Sequence, residues 1–245
     1  MDTHTGQFIE QADPHVTIYA TLSHTWDSEG EQTYRELQEI QRIYDPGGHR
    51  LSAINPTPTS MVSLDGFRYI WIDSCCIEKQ SSSELSEAIN SMYAWYRDSK
   101  LCYAFLADVS ACGTTEDWKT QFSQSRWFRR GWTLQELIAP SEVVFLSQEW
   151  EPLGTKHDLA EAVEEITGID QDVLKHELPL DCVSVAKRMS WASGRETTRV
   201  EDEAYSLLGI FDINMTMLYG EGRRAFRRLQ EEILLRIPDQ TLFAW

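Results

Sequence analysis

The sequence predicts an α/β fold: a parallel sheet layered between helices, followed by a helical extension. Three observations predict it. Short apolar runs rich in β-branched and aromatic residues recur as far as Trp150, and helix-like stretches separate them. After Gly154 the strand signals fade and only helical periodicity is left. On this reading residues 1–154 form the α/β core and residues 155–245 a helical extension packed on it.

The strand runs are Val16–Ser23 (VTIYATLS), Arg68–Asp73 (RYIWID), Leu101–Val109 (LCYAFLADV) and Glu142–Ser147 (EVVFLS). Between the second and third, Ser81 with Glu84 fits a capping box, and Leu85, Ile89, Met92 and Tyr96 repeat at helical spacing through Arg97. Tyr44–Met61 carries Pro46, Gly47, Gly48, Pro56 and Pro58 and reads as a loop near a site. Ser110–Ser125 is polar and reads as a second break, with Trp118 and Phe122 as its apolar members. In the extension, Lys156–Thr167, Val183–Ala192, Val200–Phe211 and Gly222–Ile237 look helical. Thr198 with Glu201 suggests a cap for the third, and Phe226, Leu229, Ile233 and Leu234 form one stripe on the fourth. The apolar ending Leu242–Trp245 reads as a cut from a longer protein.

Composition narrows the function. The 39 acidic residues against 22 basic ones give a net charge of -17. Such a surface repels phosphate backbones and anionic lipid, so neither nucleic acid nor a membrane is an expected partner. Basic residues cluster at Arg126, Arg129 and Arg130, a place for a small anion, and at Arg223, Arg224, Arg227 and Arg228, the solvated face of a helix. Five cysteines without a C-x-x-C pair, and adjacent Cys75 and Cys76, suit reduced thiols in a cytoplasmic protein. The opening residues have no apolar core for a signal peptide, and no apolar run reaches the ~20 residues of a membrane-spanning helix. Six scattered histidines without H-E-x-x-H give no metal site.

Ligands of an open parallel sheet bind beyond the carboxyl ends of its strands. The first run ends in Ser23-His24-Thr25-Trp26, the second in Asp73-Ser74-Cys75-Cys76, and the third in Asp108, ahead of Ser125–Leu137. As a short helix from Gly131 to Pro140, the last stretch gathers Leu134, Leu137 and Ile138 on an apolar face. Trp132, Gln135 and Glu136 then share the other side, with Trp132 and Glu136 one turn apart. A carboxylate beside an indole suits a cationic ring or a ribose. The alternative is a solvated Glu136 paired with Arg129 or Arg130. His24 reads as a structural hydrogen-bonder or a general base, Asp73 as a turn cap or a site group, and Cys76 as a core thiol or a nucleophile.

The segments Leu22–Trp26, Trp71–Ile77, Ser125–Leu137 and Arg195–Asp202, with Leu218–Gly222 and Leu229–Glu232 after them, together resemble the heterokaryon-incompatibility (HET) domain of filamentous fungi. That resemblance implies a role in non-self recognition and induced cell death. It also implies a nucleotide-binding oligomerisation module and a repeat array downstream. A more distant resemblance is to Toll/interleukin-receptor (TIR) domains. Trp132-Thr133-Leu134-Gln135-Glu136-Leu137 is similar to their Trp-Cys-Leu-x-Glu-Leu, with Thr133 in place of Cys. The loop before it is longer here, and the helical extension has no TIR counterpart. In catalytic TIR domains that glutamate is essential for cleaving NAD at the nicotinamide–ribose bond.

The expected fold is therefore TIR-like and flavodoxin-like, a three-layer parallel sheet with a C-terminal α-helical extension. Glu136 is the expected catalytic residue, and Ser23, His24, Trp26, Asp73, Arg130 and Trp132 the expected substrate-binding residues. NAD is the expected substrate rather than a cofactor, handled by a self-associated chain. The alternatives are a non-catalytic signalling module acting by homotypic assembly, and a metal or thiol hydrolase.

Overall fold

A computed structural model describes residues 1–4, 6–9, 17–26, 30–44, 66–112 and 114–244. The loop read at Tyr44–Met61 lies, beyond Tyr44, outside the described residues, as do Val16 and Trp245. The strands are β1 (Ala20–His24), β2 (Ile70–Ile72), β3 (Leu101–Phe105), β4 (Val143–Leu146) and β5 (Pro152–Thr155). They form one sheet in the order β2-β1-β3-β4-β5. The first three pairings are parallel, with Ala20 opposite both Ile70 and Leu101, and Cys102 opposite Val143. Each of the four apolar runs thus supplies a strand. β5 was not expected, and it is antiparallel to β4. The chain between them is too short for a crossover, and the Ser147 hydroxyl turns it by accepting the amides of Glu149 and Glu151, each at 3.2 Å.

Helices α1 (Tyr34–Tyr44), α2 (Ser82–Asp98), α3 (Thr115–Gln124) and α4 (Thr133–Ile138) fall within the first part of the chain. After β5 come α5 (Ala160–Thr167), α6 (Gln171–Leu174), α7 (Val185–Ser190), α8 (Asp202–Tyr205) and α9 (Arg224–Arg236). The Ser81 hydroxyl accepts the Glu84 amide and starts α2. The Ser110–Ser125 break is in fact mostly α3. Thr114 and Asp117 exchange capping hydrogen bonds, and Trp118 and Phe122, one turn apart, face the core while Lys119, Thr120, Ser123 and Gln124 are exposed. The expected Val200–Phe211 helix is shortened to α8 followed by turns. Its cap differs too. Thr198 accepts from Arg130, while Glu201 holds the amides of Gly220 and Gly222 at 2.7 and 3.0 Å. Those glycines have φ of 103° and 62°, which a side chain would strain.

Side chains alternate across the sheet. Ala20, Leu22, Ile70, Ile72 and Tyr103 belong to a smaller apolar cluster with Leu37 of α1. Cys102, Ala104, Val143 and Phe145 belong to a larger one that runs from Ile77 to Leu242. Two apolar faces on one sheet give three layers. The larger cluster crosses the 154/155 division without a break, and α5, α7, α8 and α9 all contribute to it.

Two members of β1 break its apolar pattern. Thr21 and Ser23 are polar, wholly buried, and on the face opposite Ala20 and Leu22. A buried polar side chain needs a partner, because an unpaired one costs roughly 1–3 kcal/mol. Thr21 donates to Ser99 Oγ at 3.3 Å. The partners of Ser23 define the site below.

Candidate functional site

Order β2-β1-β3 reverses direction at β1, so the crevice beyond the carboxyl ends of β1 and β3 is the topological switch point where open α/β sheets receive ligands. Ser23 lies one residue before the end of β1 at that point. Its Oγ accepts the Trp127 indole N–H at 2.8 Å and donates to the Glu136 carboxyl. Trp127 lies in the single-turn helix Arg126–Arg129. That turn is fastened by Asp108, which accepts from Ser125 Oγ at 2.7 Å and from the Arg126 amide at 2.9 Å. Tyr96, fully buried on α2, donates to the Leu22 carbonyl at 3.2 Å and also meets the Glu136 carboxyl.

Glu136 is 4% exposed, and all six residues of α4 are buried. The solvated Glu136 paired with Arg129 or Arg130 is thereby excluded. Nor does α4 have a polar side. It packs against β1, α2 and α6 at once, which buries it all round. Burial pushes the Glu136 carboxyl up to about 8, with the Asp73 charge adding to the rise; the Ser23 hydrogen bond, His24 and Arg130 oppose it. A dry carboxyl that holds its proton near neutrality gains from a cation placed beside it.

The other expected residues fall in two groups. His24 and Asp73 act on Glu136 through their charge. His24 Nε2 meets Glu31 at 2.7 Å, and its Nδ1 is sealed without a partner among the described residues. Burial lowers its basicity, but the Glu31 hydrogen bond and the charges of Asp73, Glu31 and Glu136 outweigh that, so it is raised overall. Asp73 accepts the Trp26 indole N–H at 3.1 Å. Trp26 is 46% exposed at the rim, with Lys79 Nζ 3.5 Å above its ring. Arg130 is half-buried, donates to Thr198 Oγ1 at 3.2 Å, and lends its charge to Glu136.

Trp132 belongs to the second group. It precedes α4, packs on the large cluster, and hydrogen-bonds Asp202. The indole joined to the Glu136 cluster, through Ser23, is Trp127. One turn of spacing does not place Trp132 at the carboxyl, because the residue before the helix swings toward the Arg195–Asp202 stretch. Trp127, Tyr96, Glu31 and Lys79 were missed from sequence. The signal for Trp127 was available in the unpaired serine of an otherwise buried strand.

The Arg195–Asp202 stretch braces α4. Glu196 donates its amide to Arg129 O at 2.6 Å and accepts the Gly131 amide at 2.8 Å. The contact is so close that a Cβ on Gly131 would meet Thr197 Cγ2 at 2.5 Å. Gly131→Ala is expected to destabilise the fold by roughly 2 kcal/mol. Adding Thr197→Ser, which deletes that methyl, should recover most of the loss. Urea midpoints of the two variants check this.

All five thiols are free, with Cys75 and Cys102 buried. Among the described residues no group of three or more His, Cys, Asp or Glu side chains is arranged to hold a metal ion, and no helix is long and apolar enough to cross a membrane. A cavity of about 650 Å³ lies elsewhere, around the β2 edge between Phe8, Tyr34, Tyr69, Trp71 and Trp95, away from Glu136.

Comparison with known proteins places these features. Residues 19–116 match the family model described as heterokaryon incompatibility protein (HET). Residues 224–245 match a domain of unknown function (DUF8212). The vegetative incompatibility protein HET-E-1 of Podospora anserina is 43% identical over 224 residues, which cover 89% of this chain and 16% of that protein. The chain thus spans about a sixth of the length of the relative it matches. No solved structure matches.

Proposed function

Since the chain carries a heterokaryon-incompatibility (HET) domain, we propose that it is an effector module of fungal non-self recognition that triggers cell death by cleaving NAD at the nicotinamide–ribose bond. The observation that carries the chemistry is the buried Glu136 carboxyl, bound to Ser23 and backed by Tyr96 at the switch point of the sheet.

In this reaction the C1′–N1 bond breaks and its electron pair leaves with the ring nitrogen as neutral nicotinamide. Water then adds to the ribose, giving ADP-ribose and a proton. The transition state carries positive charge on the sugar, and a carboxylate beside it lowers the barrier. Pyridinium nitrogen is already cationic, so the leaving group needs no strong acid. The same positive charge favours the ionised form of Glu136 on binding. Arg130 and Lys79, cations at an otherwise acidic crevice, suit the pyrophosphate, and the exposed face of Trp26 suits a ring. Self-association completes the reading: turnover per molecule rises with protein concentration.

The test is direct. Purified protein is incubated with NAD over a range of protein concentrations and released nicotinamide is measured by chromatography. Turnover lost in Glu136→Gln is the expected result. Turnover equal in that variant, or absent from the wild type at every concentration, rejects the enzymatic reading. Toxicity in cells without NAD loss would instead favour a module acting by homotypic assembly.

A further inference from the structure

The cavity of about 650 Å³ at the β2 edge takes no part in the chemistry above, and its lining is selective. Its floor is apolar, made by the buried Ile70, Ile77 and Ala88. Six aromatic rings stand around it. Trp71 of β2 and Trp95 of α2 have ring centroids 5.2 Å apart and planes at 55°, so they make two walls of one corner. Phe8 and Tyr34 form a second such pair, at 4.7 Å and 37°, and Tyr19 and Tyr69 complete the set. The charged side chains of the lining are three glutamates, Glu78, Glu84 and Glu87. Glu78 is answered by Arg35 at 2.6 Å. Glu84 and Glu87, exposed and one turn apart on α2, have no ion-pair partner among the described residues. Nor does any described Lys, Arg or His side chain line the cavity. The Met1 amine, which also borders it, is turned to the strand edge and donates to Ile70 O at 2.8 Å.

An aromatic-walled space with unmatched negative charge at its rim attracts a cation, because ring faces carry negative charge density and the carboxylates add to it. The walls also limit which cation. Tyr19 gives its hydroxyl proton to Trp95 O at 2.6 Å, and Tyr34 Oη accepts from Gln38 Nε2 at 2.8 Å. A bare ammonium would bring three N–H donors to walls that offer chiefly rings. A quaternary ammonium has none to satisfy and lays its methyl groups on the rings. The volume falls within the roughly 300–1,000 Å³ of small-molecule sites. We propose that this cavity binds a small organic cation with a quaternary ammonium head, held by Trp71 and Trp95 and balanced by Glu84 and Glu87. The site stands apart from NAD cleavage, whose substrate carries phosphates that these glutamates repel.

Choline is the probe, and its carbon isostere, in which a tert-butyl group replaces trimethylammonium, is the neutral match. Binding is followed in the assigned indole N–H signals of Trp71 and Trp95 by ¹⁵N NMR. Both signals should move and saturate with choline, and the isostere should bind about tenfold more weakly or worse. Glu84→Gln/Glu87→Gln, two changes at exposed positions, should weaken choline binding about fivefold. Glu161→Gln/Glu165→Gln removes the same charge from exposed positions on α5 and should leave the affinity as it is, which separates the cavity from the pull of the acidic surface as a whole. Indole signals that do not saturate, equal affinity for the isostere, or equal effects of the two glutamine pairs each overturn the proposal. A trimethyl-lysine amide run beside choline tells a cation carried on a protein side chain from a free one: the tighter binder names the source. No reading here needs turnover, so absence of NAD cleavage defeats the proposed function alone, and failure to bind choline defeats only this inference.

Discussion

Glu136→Gln is expected to abolish NAD cleavage and, in the same molecule, to stabilise the fold at alkaline pH. The sign follows from the raised carboxyl. Its ordinary value is 4.5 and its folded value about 8. Below pH 4.5 both the folded and the unfolded chain hold the proton, and Glu136 costs nothing. Between the two values the unfolded chain has released its proton while the folded one retains it, so stability falls as pH rises. From pH 5 to pH 8 that slope amounts to at most about 4 kcal/mol, a large share of the roughly 5–15 kcal/mol that holds a domain together. Glutamine has nearly the same shape, still accepts from Ser23, and has no charge to bury. Denaturant unfolding of both proteins at pH 5.5 and 8.5 should show the variant gaining a few kcal/mol on the wild type between the two conditions. The buried Lys156, lowered by burial to about 8, titrates in the same range but is common to both and cancels. An unchanged difference would mean that Glu136 is not the buried acid described. On the kinetic side, loss of the carboxylate should lower turnover by orders of magnitude, each tenfold step being 1.36 kcal/mol of barrier. A side chain that weakens the fold while serving the reaction is the trade expected of a catalytic group.

How far the sequence led depends on the range of the forces involved. The four parallel strands were legible because each is a short run of β-branched and aromatic residues, a local signal. Glu136 was legible as a candidate because the strand ends and the Trp132–Leu137 motif converge on it. Its burial was not. A six-residue helix with polar Thr133, Gln135 and Glu136 reads as half-solvated, and only packing against α2, β1 and α6 together makes it dry. Trp132 was taken as the indole beside Glu136, and Trp127 was missed, for a similar reason. The helix was read from Gly131, whereas it begins at Thr133, so Trp132 precedes it and its side chain bonds Asp202 instead. Helix α3 was missed because its amphipathic face has two members, Trp118 and Phe122, too few for periodicity to register. The Glu201 contacts with Gly220 and Gly222 join residues 19 and 21 positions apart, beyond any capping rule.

Gly209→Ala should be the most damaging single-methyl change in the interior, destabilising the chain by about 3 kcal/mol or more. Gly209 follows α8 and lies between Leu208 and Ile210, each 1% exposed. It has no left-handed φ, so its requirement is space rather than conformation. A Cβ there would fall on Tyr93 of α2, overlapping its Cβ and Cγ and lying 2.6 Å from Cδ2. Rotation about χ1 does not move a Cβ, so Tyr93 has no way to yield, and the turn and α2 must part. Parting them pulls on Tyr96, one turn along α2, whose hydroxyl meets Leu22 O and Glu136. The loss should therefore reach the site as well as the core. Because the closest overlap is with Cβ, removing the ring leaves the worst of the clash in place, and a pair of double variants tests that. Tyr93→Ala should fail to rescue Gly209→Ala, since it keeps the offending atom. Tyr93→Gly should relieve the overlap, leaving the ~1 kcal/mol that glycine costs a helix and the packing of the lost ring. The quantity to compare is the coupling energy from each double-mutant cycle, which should be large and favourable for glycine and clearly smaller for alanine. Equal rescue by both would show that the aromatic ring sets the spacing between the C-terminal segment and α2, and that the close approach of Gly209 to the helix backbone does not.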